Sequence, residues 1–314
     1  MRQRFFTITT VLFVCLSLVF GVLYFGGRNS SQGSDSGRYP LLAKRLFSES
    51  SSDVIINFQP LRSEVKTYLA SLGIKYSFYF EYLFTGTEVR AGDSNSLVGA
   101  SLMKIPIVMD LYKAVEENKL SLNQKVTVPS NVPGGNDQLY GNQENLKAGQ
   151  QITLKTASQI ALNESDNTAA YTVFQAVNGL LPTQDQALNN LDIEVQNQEG
   201  ASGPFVMISS RSYASILKSL YFSCFLSLKD SQAILDDLTN SPDDNGLRSG
   251  VPNGVEVAHK IGSFGTQTQS DCGIVYVPDR RYELCIMLDE GSVNAKQHIK
   301  KLSEMVYDYV SKVN

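Results

Sequence analysis

The first 28 residues have a different hydrophobic pattern from the rest of the chain. Phe5 to Phe25 form 21 consecutive uncharged, mostly apolar positions. A helix of that length is about 30 Å long and spans one bilayer core. Because Arg2 and Arg4 precede it, we expect the N-terminus to stay cytoplasmic. We therefore predict an uncleaved single-pass anchor in the cell membrane, with the remainder of the chain extracytoplasmic. A cleaved signal peptide is the alternative.

Polar and small residues dominate the next stretch. Residues 29–53 contain the runs NSSQGSDSG and SESSSD, which are typical of a flexible linker. Regular patterning begins after them, so we place one folded domain at residues 54–314.

Helical and strand periodicities alternate along this domain. Leu61, Val65 and Leu69 recur at helical spacing, and residues 76–84 alternate as in a strand. Further strands are predicted at Thr87–Ala91, Val255–Ile261, Gly273–Val277 and Tyr282–Leu288, and a C-terminal helix follows. Residues 100–240 read as mostly helical. The pattern predicts an α+β fold, with a five-stranded antiparallel sheet, flanking N- and C-terminal helices and an inserted all-helical lobe.

Composition removes several functional classes. The net charge of −4 gives no basic footprint for nucleic acid. Two histidines and four scattered cysteines, without C-x-x-C or H-x-x-x-H, indicate no metal site. No glycine-rich phosphate-binding motif is present, and we expect no cofactor. Cys272 and Cys285 flank a predicted hairpin turn, and we interpret them as two packed free thiols rather than a disulfide.

Three short motifs carry candidate chemistry. In Ser101-Leu102-Met103-Lys104, helical i, i+3 spacing brings a lysine amine to a serine hydroxyl, which a neutral amine can deprotonate. The same spacing at Ser63/Lys66 and Ser215/Lys218 shows that this motif alone is not specific.

The other two motifs are rarer. Ser165-Asp166-Asn167 precedes an apparent helix, where one such residue would suffice as an N-cap. Lys260-Ile261-Gly262 lies on a predicted strand, where a buried lysine is costly unless it is paired or functional.

The order of the motifs is informative. S-x-x-K, then S-D-N 64 residues later, then K-x-G after another 95 residues resembles the serine β-lactamases and penicillin-binding proteins, most closely class A β-lactamases. The resemblance covers about residues 60 to 310. It implies the following roles: Ser101 as nucleophile, Lys104 as base, Ser165 as proton donor, Asn167 and Lys260 as substrate-binding residues, and the backbone N–H groups of Ser101 and Ser263 as oxyanion hole.

Two positions depart from the family pattern. Ile261 stands where the family usually has a hydroxyl residue, so we expect weaker binding of a substrate carboxylate. The family's E-x-x-x-N is also missing. Glu194 and Glu199 are the candidates for the glutamate that hydrolyses the acyl-enzyme, and we prefer Glu194. Residues 197–204 read as a surface loop.

The resemblance implies a monomeric serine hydrolase that opens a small-molecule β-lactam or related amide through an acyl-enzyme on Ser101. One alternative is a cell-wall D,D-peptidase of the same superfamily, acting on a peptidoglycan peptide. Another is an inactive domain that binds peptidoglycan or a partner protein.

Overall fold

The computed structural model describes residues 56–92, 94–132, 146–182, 185–200, 203–242, 245–290 and 293–312. The predicted anchor and linker lie outside these residues and stay predictions. Among the described residues, no helix is both long and apolar enough to cross a membrane.

The described elements alternate between helices and strands. The helices are α1 (Gln59–Ser71), α2 (Lys104–Glu116), α3 (Leu154–Asn163), α4 (Asn167–Val177), α5 (Gln186–Asn190), α6 (Ser210–Tyr221), α7 (Leu228–Thr239) and α8 (Val293–Lys312), with 3-10 helices at Ala100–Met103 and Arg248–Gly250. The strands are β1 (Tyr76–Tyr82), β2 (Thr87–Ala91), β3 (Leu97–Val98), β4 (Lys125–Thr127), β5 (Gln151–Thr153), β6 (Gln196–Gly200), β7 (Gly203–Ile208), β8 (Val257–Phe264), β9 (Thr268–Val275) and β10 (Tyr282–Leu288).

The predicted five-stranded antiparallel sheet is confirmed, in the order β2-β1-β10-β9-β8. Strands β2 and β10 have the predicted bounds. Strand β9 begins earlier than expected, because its first residues Thr268, Gln269 and Ser270 are polar yet buried and show no apolar alternation. Strand β8 continues to Phe264, and a turn with Gly265 at φ +54° then reverses the chain.

Apolar side chains cover both faces of the sheet. One face packs against α1 and α8 through residues such as Leu61, Val65, Ile299, Leu302 and Val306. The other face packs against α6 and the helical insert through residues such as Tyr213, Ile216, Leu217, Ile105 and Met109. A separate cluster fills the insert between α2, α3 and α4. Polar groups on the inner strands are therefore enclosed, and each needs a partner or a function.

The insert is not all helical, so that prediction is wrong. It also contains the small sheets β3-β7-β6 and β4-β5. Within the segment interpreted as a loop at residues 197–204, residues 197–200 lie on β6 and residues 203–204 lie on β7, and the two strands pair. Strand β6 is exposed and polar, with no apolar alternation to reveal it. Its pairing depends on β7, which in turn pairs with β3 just before the Ser101 motif.

Cys272 and Cys285 are bonded to each other, so the interpretation as two free thiols is wrong. They are directly opposite on β9 and β10, where neighbouring side chains share one face. Lys260 is opposite Cys272 on β8 and extends this row to the edge of the sheet. The disulfide thus joins two strands beside the lysine of the third motif.

We expect the double substitution Cys272→Ala/Cys285→Ala to lower the free energy of unfolding by about 3 kcal/mol, because a loop of this size loses its constraint in the unfolded chain. Denaturant titration measures the change, with exposed Cys224→Ala as the control. Thiol titration of the unreduced, denatured full-length chain should find two of its four cysteines free. Four free thiols would contradict the bond.

Candidate active site

Ser101 lies on the 3-10 helix that leads into α2. Ala100 enters this helix at φ +46°, an uncommon conformation for a residue with a β-carbon. The hydroxyl of Tyr213, on α6, donates a hydrogen bond of 3.0 Å to the carbonyl of Leu102. Ser101 is 7% exposed, so a small part of it faces solvent. The strained entry and the buried tyrosine bond together fix the position of the serine.

Strand β8 packs directly against this 3-10 helix. A β-carbon at Gly262 would lie 2.9 Å from the carbonyl oxygen of Gly99 and 2.9 Å from Leu102 Cγ. Only glycine permits this approach, which explains the last residue of the K-x-G motif. The close packing brings Lys260 and Ser263, on either side of Gly262, next to the Ser101 helix.

The S-D-N triplet forms the turn between α3 and α4. Ser165 is fully buried and has φ +58°. Asp166 is the N-cap of α4, because its carboxylate accepts a 2.6 Å hydrogen bond from the backbone N–H of Ala169. The capping interpretation therefore applies to Asp166, and it leaves Ser165 and Asn167 available to contact the lysines.

Lys104, at the first turn of α2, contacts the first two motifs. Its Nζ lies 2.8 Å from Ser101 Oγ, 2.6 Å from the Ser165 carbonyl oxygen and 2.8 Å from Asn167 Oδ1. The Ser165 hydroxyl is farther away, at 3.4 Å. Lys104 is only 5% exposed, so almost no water solvates its amine.

Counting hydrogens assigns a direction to these contacts. The Ser165 carbonyl and the Asn167 amide oxygen can only accept, so they take two N–H bonds from the amine. A neutral –NH₂ group has two hydrogens, and its lone pair is then left for the third contact, at Ser101 Oγ. In the neutral state, Lys104 is therefore arranged to receive the Ser101 proton.

The surroundings favour that neutral state. Burial lowers the pKa of Lys104 well below its ordinary value, and the positive charge of Lys260 lowers it further, while the carboxylate of Asp166 opposes both. Lys260 Nζ lies 2.9 Å from Ser165 Oγ. The chain of contacts Lys260–Ser165–Lys104–Ser101 thus links all three sequence motifs in one buried site.

The remaining predicted residues lie in different settings. Ser263 is half-buried on β8, and Ile261 is buried at 4% exposure. Glu194 and Glu199 are both exposed. Among the described residues, no carboxylate oxygen lies within hydrogen-bond distance of Ser101 Oγ or Lys104 Nζ. The structure therefore brings together the serines, lysines and asparagine, but not the two glutamates.

Two features near the site were missed from the sequence. In the short helix α5, Gln186 and Asn190 are separated by three residues, as the glutamate and asparagine of E-x-x-x-N are. A search for glutamate overlooks this match, because glutamine stands in the first position. Asp110 interrupts an apolar stretch of α2 and is 5% exposed. Its carboxylate accepts a 2.7 Å hydrogen bond from the backbone N–H of Ala187 in α5. The sequence signal for Asp110 was a carboxylic acid within an otherwise apolar stretch of a predicted helix.

The described residues hold no group of three or more histidine, cysteine, aspartate or glutamate side chains suited to a metal ion.

The chain is similar in sequence to one known enzyme family. The model of the beta-lactamase enzyme family matches residues 60–310. The chain belongs to this family. The match includes every residue of the candidate site, so the predicted membership of the serine β-lactamase and penicillin-binding protein superfamily is confirmed.

Solved structures of this superfamily share the fold at low identity. PBP-A is 22% identical with a TM-score of 0.73, over 81% of this chain and 97% of its own. A beta-lactamase from Sphaerobacter thermophilus is 18% identical with a TM-score of 0.71, over 82% of this chain and 100% of its own. No match was found among curated proteins. At these identities, the structural similarity shows only that this chain shares their fold.

Replacing Lys260 tests the electrostatics of the site. In Lys260→Met, the positive charge that lowers the Lys104 pKa is gone, so we expect that pKa to rise. The pH midpoint of Ser101 acylation should then move upward, and at pH values below the midpoint a rise of one pKa unit would slow acylation by about tenfold. Stopped-flow labelling with a fluorescent penicillin measures the profile.

Exposed Lys229→Met is the matched control, since it removes one positive charge on α7. The pH midpoint of acylation distinguishes two effects of the substitution. Loss of the positive charge moves the midpoint, whereas loss of substrate binding lowers the rate equally at every pH and leaves the midpoint in place. A Lys260→Met profile with an unmoved midpoint would contradict the assignment.

Proposed function

We propose that this protein opens β-lactams and related amides through an acyl-enzyme on Ser101. The contact of 2.8 Å between Lys104 Nζ and Ser101 Oγ, with the two lysine hydrogens directed to carbonyl-type acceptors, is the observation that carries this proposal. A domain that only binds peptidoglycan or a partner would have no need of a desolvated lysine beside a serine.

Acylation proceeds by three proton transfers. The Ser101 hydroxyl gives its proton to the neutral amine of Lys104 while its oxygen attacks the amide carbonyl carbon. The backbone N–H groups of Ser101 and Ser263 stabilise the oxyanion that forms. As the C–N bond breaks, the Ser165 hydroxyl gives its proton to the leaving nitrogen, and the lysine proton replaces it on Ser165. These transfers restore the neutral amine and leave an ester on Ser101.

The two lysines have separate roles in this reaction. Lys104 is enclosed and accepts a proton. Lys260, 2.9 Å from Ser165 Oγ, stays positively charged, binds the substrate carboxylate and makes the Ser165 proton easier to release. Asn167 binds the substrate's amide side chain. Since Ile261 adds no hydroxyl, recognition of the substrate carboxylate relies on Lys260 and Ser263. Weaker binding of that carboxylate stays a prediction.

We propose that hydrolysis of the acyl-enzyme is slower than its formation. Water attacks an ester rapidly when a base holds it, yet among the described residues no carboxylate contacts Ser101 or Lys104. Glu194 is exposed and stays the predicted base. The helix α5 presents glutamine at the glutamate spacing of the family, and the buried Gln186 Oε1 has no hydrogen-bond partner among the described residues.

The D,D-peptidase or penicillin-binding alternative is supported by the same observation. One solved relative is a leucine-to-glutamate variant of PBP-A, recorded as an acyl-enzyme complex with penicillin G, with a TM-score of 0.72. A protein of this kind would be acylated by β-lactams and stall. We also propose that residues 1–28 hold the domain at the outer face of a cell membrane, where peptidoglycan peptides would be available.

Labelling with penicillin tests acylation directly. We expect intact mass spectrometry to find one penicillin adduct and peptide mapping to place it on Ser101. Ser101→Ala should abolish the adduct with little effect on thermal stability, because replacing one hydroxyl by hydrogen removes little packing. Ser63→Ala and Ser215→Ala are the controls, since both serines share the S-x-x-K spacing. An adduct on another serine, or none at all, would reject the proposal.

Variants of the glutamine and glutamate positions test deacylation. We expect Gln186→Glu to raise the rate of acyl-enzyme hydrolysis by about 100-fold, within the range of general base catalysis, and Glu194→Gln to lower the residual rate. Single-turnover mass spectrometry measures both, with Glu199→Gln as the control. If the parent protein hydrolyses the ester rapidly and Gln186→Glu changes nothing, Gln186 is not at the base position. An acyl-enzyme that persists for hours in the parent would favour the penicillin-binding alternative.

A further inference from the structure

Helix α5 has only five residues and is not capped by its own sequence. Asp185 occupies the N-cap position at φ +57°, and its side chain makes no capping hydrogen bond. Isolated helices this short are unstable in water, so α5 depends on its surroundings.

A residue from another helix supplies the missing cap. The Asp110 carboxylate, on α2, accepts hydrogen bonds from the backbone N–H groups of Ala187, at 2.7 Å, and Gln186. These are the N–H groups that a helix leaves free at its first turn. Asp110 thereby joins α5 to the helix that begins at Lys104.

The segment that contains α5 is attached beside the active site at two places. We define the α5–β7 segment as residues 185–200 and 203–208. At its far end, β7 pairs with β3, and Gly99 donates a hydrogen bond of 2.8 Å to the Val206 carbonyl two residues before Ser101. At its near end, Asp110 binds α5. Glu194, the predicted base, lies between the two attachments.

We propose that Asp110 is a positioning residue, which holds the α5–β7 segment against α2 and so sets how fast the acyl-enzyme is hydrolysed. The part of this inference that concerns hydrolysis rests on the proposed function. The attachment itself does not, because it follows from the two hydrogen bonds and the burial of the carboxylate.

The attachment should respond to pH. Burial raises the pKa of Asp110 to about 7, Asp185 raises it too, and the two N–H bonds oppose the rise. Both carboxylates line one small cavity of about 20 Å³. On the α4 side, this cavity is lined by the uncharged Phe174, Val177 and Asn178.

Linkage gives the direction of the pH effect. If the segment opens, Asp110 meets water and its pKa returns toward its ordinary value near 4. Raising the pH from about 4 to about 7 therefore progressively favours the open segment, because over this range the attached state binds the proton more tightly. Above pH 7 both states are deprotonated, and no further change follows. A protonated Asp110 can still accept through its carbonyl oxygen, as an asparagine would.

Hydrogen exchange of the free full-length protein tests the attachment without any β-lactam. We expect Asp110→Ala to raise exchange of a peptide covering residues 185–191 by at least tenfold. Asp110→Asn should keep the protection within about threefold of wild type near pH 4, where Asp110 is protonated. Relative to Asp110→Asn, the wild type should lose protection progressively as the pH rises from about 4 to about 7 and should lose little more above that. Comparing wild type with Asp110→Asn at the same pH cancels the intrinsic pH dependence of amide exchange.

Asp237→Ala is the matched control, because Asp237 is also a buried aspartate with a raised pKa but accepts its hydrogen bond from Gln159, away from α5. If Asp110→Ala leaves residues 185–191 protected, or Asp237→Ala exposes them equally, the proposal is wrong. If Asp110→Ala does not fold, identical pH profiles for Asp110→Asn and wild type would overturn it.

The second readout is the hydrolysis rate of a penicillin acyl-enzyme between about pH 4 and about pH 8.5. Asp110→Ala should slow hydrolysis about tenfold with little change in acylation. Asp110→Asn should restore the rate without the wild-type loss of attachment between about pH 4 and about pH 7. Exchange that responds while hydrolysis does not would overturn the catalytic part of the proposal. Failure of Ser101 to be acylated at all would instead reject the proposed function, with the exchange result still standing.

Discussion

The buried amine of Lys104 is the group on which the rest of the site depends. A lysine inside a protein is costly when charged, and a neutral lysine is useful when its lone pair has a target. Here the Ser165 carbonyl and Asn167 Oδ1 occupy the two hydrogens, and Ser101 Oγ lies at the third position. Lys260 adds positive charge nearby, which makes protonation of Lys104 less favourable. Small displacements of the Ser165 turn or of β8 would disturb this arrangement.

The fold supplies the enclosure that this chemistry requires. Both faces of the central sheet are covered by helices, so Lys260 on its edge strand is only 3% exposed. Gly262 lets that strand approach the Ser101 helix, and the left-handed conformation of Ser165 turns its carbonyl toward Lys104. The proposed acylation thus relies on elements of the core. The α5–β7 segment is attached by Asp110 and by strand pairing, and we propose that it governs hydrolysis of the ester.

Much of the architecture and most of the site were predictable from the sequence. Apolar alternation identified β1, β2 and β10, and motif order singled out Ser101 from Ser63 and Ser215, which have the same local spacing. The exposed strand β6 has no such pattern, because its position is set by β7. The disulfide depended on a register that sequence leaves uncertain by one residue. Gln186 and Asp110 escaped notice because their meaning comes from contacts between helices far apart in the chain.

The protonation state of Lys104 can be measured directly. NMR of the full-length protein with ¹³C-labelled lysine side chains follows each Cε signal as the pH is raised, and the signal lost in Lys104→Met identifies the residue. We predict that Lys104 titrates well below the ordinary lysine value of about 10.4, so that the amine is substantially neutral under conditions where Ser101 is acylated. A Lys104 signal that titrates with the exposed lysines would contradict the account, because the serine would then have no base beside it.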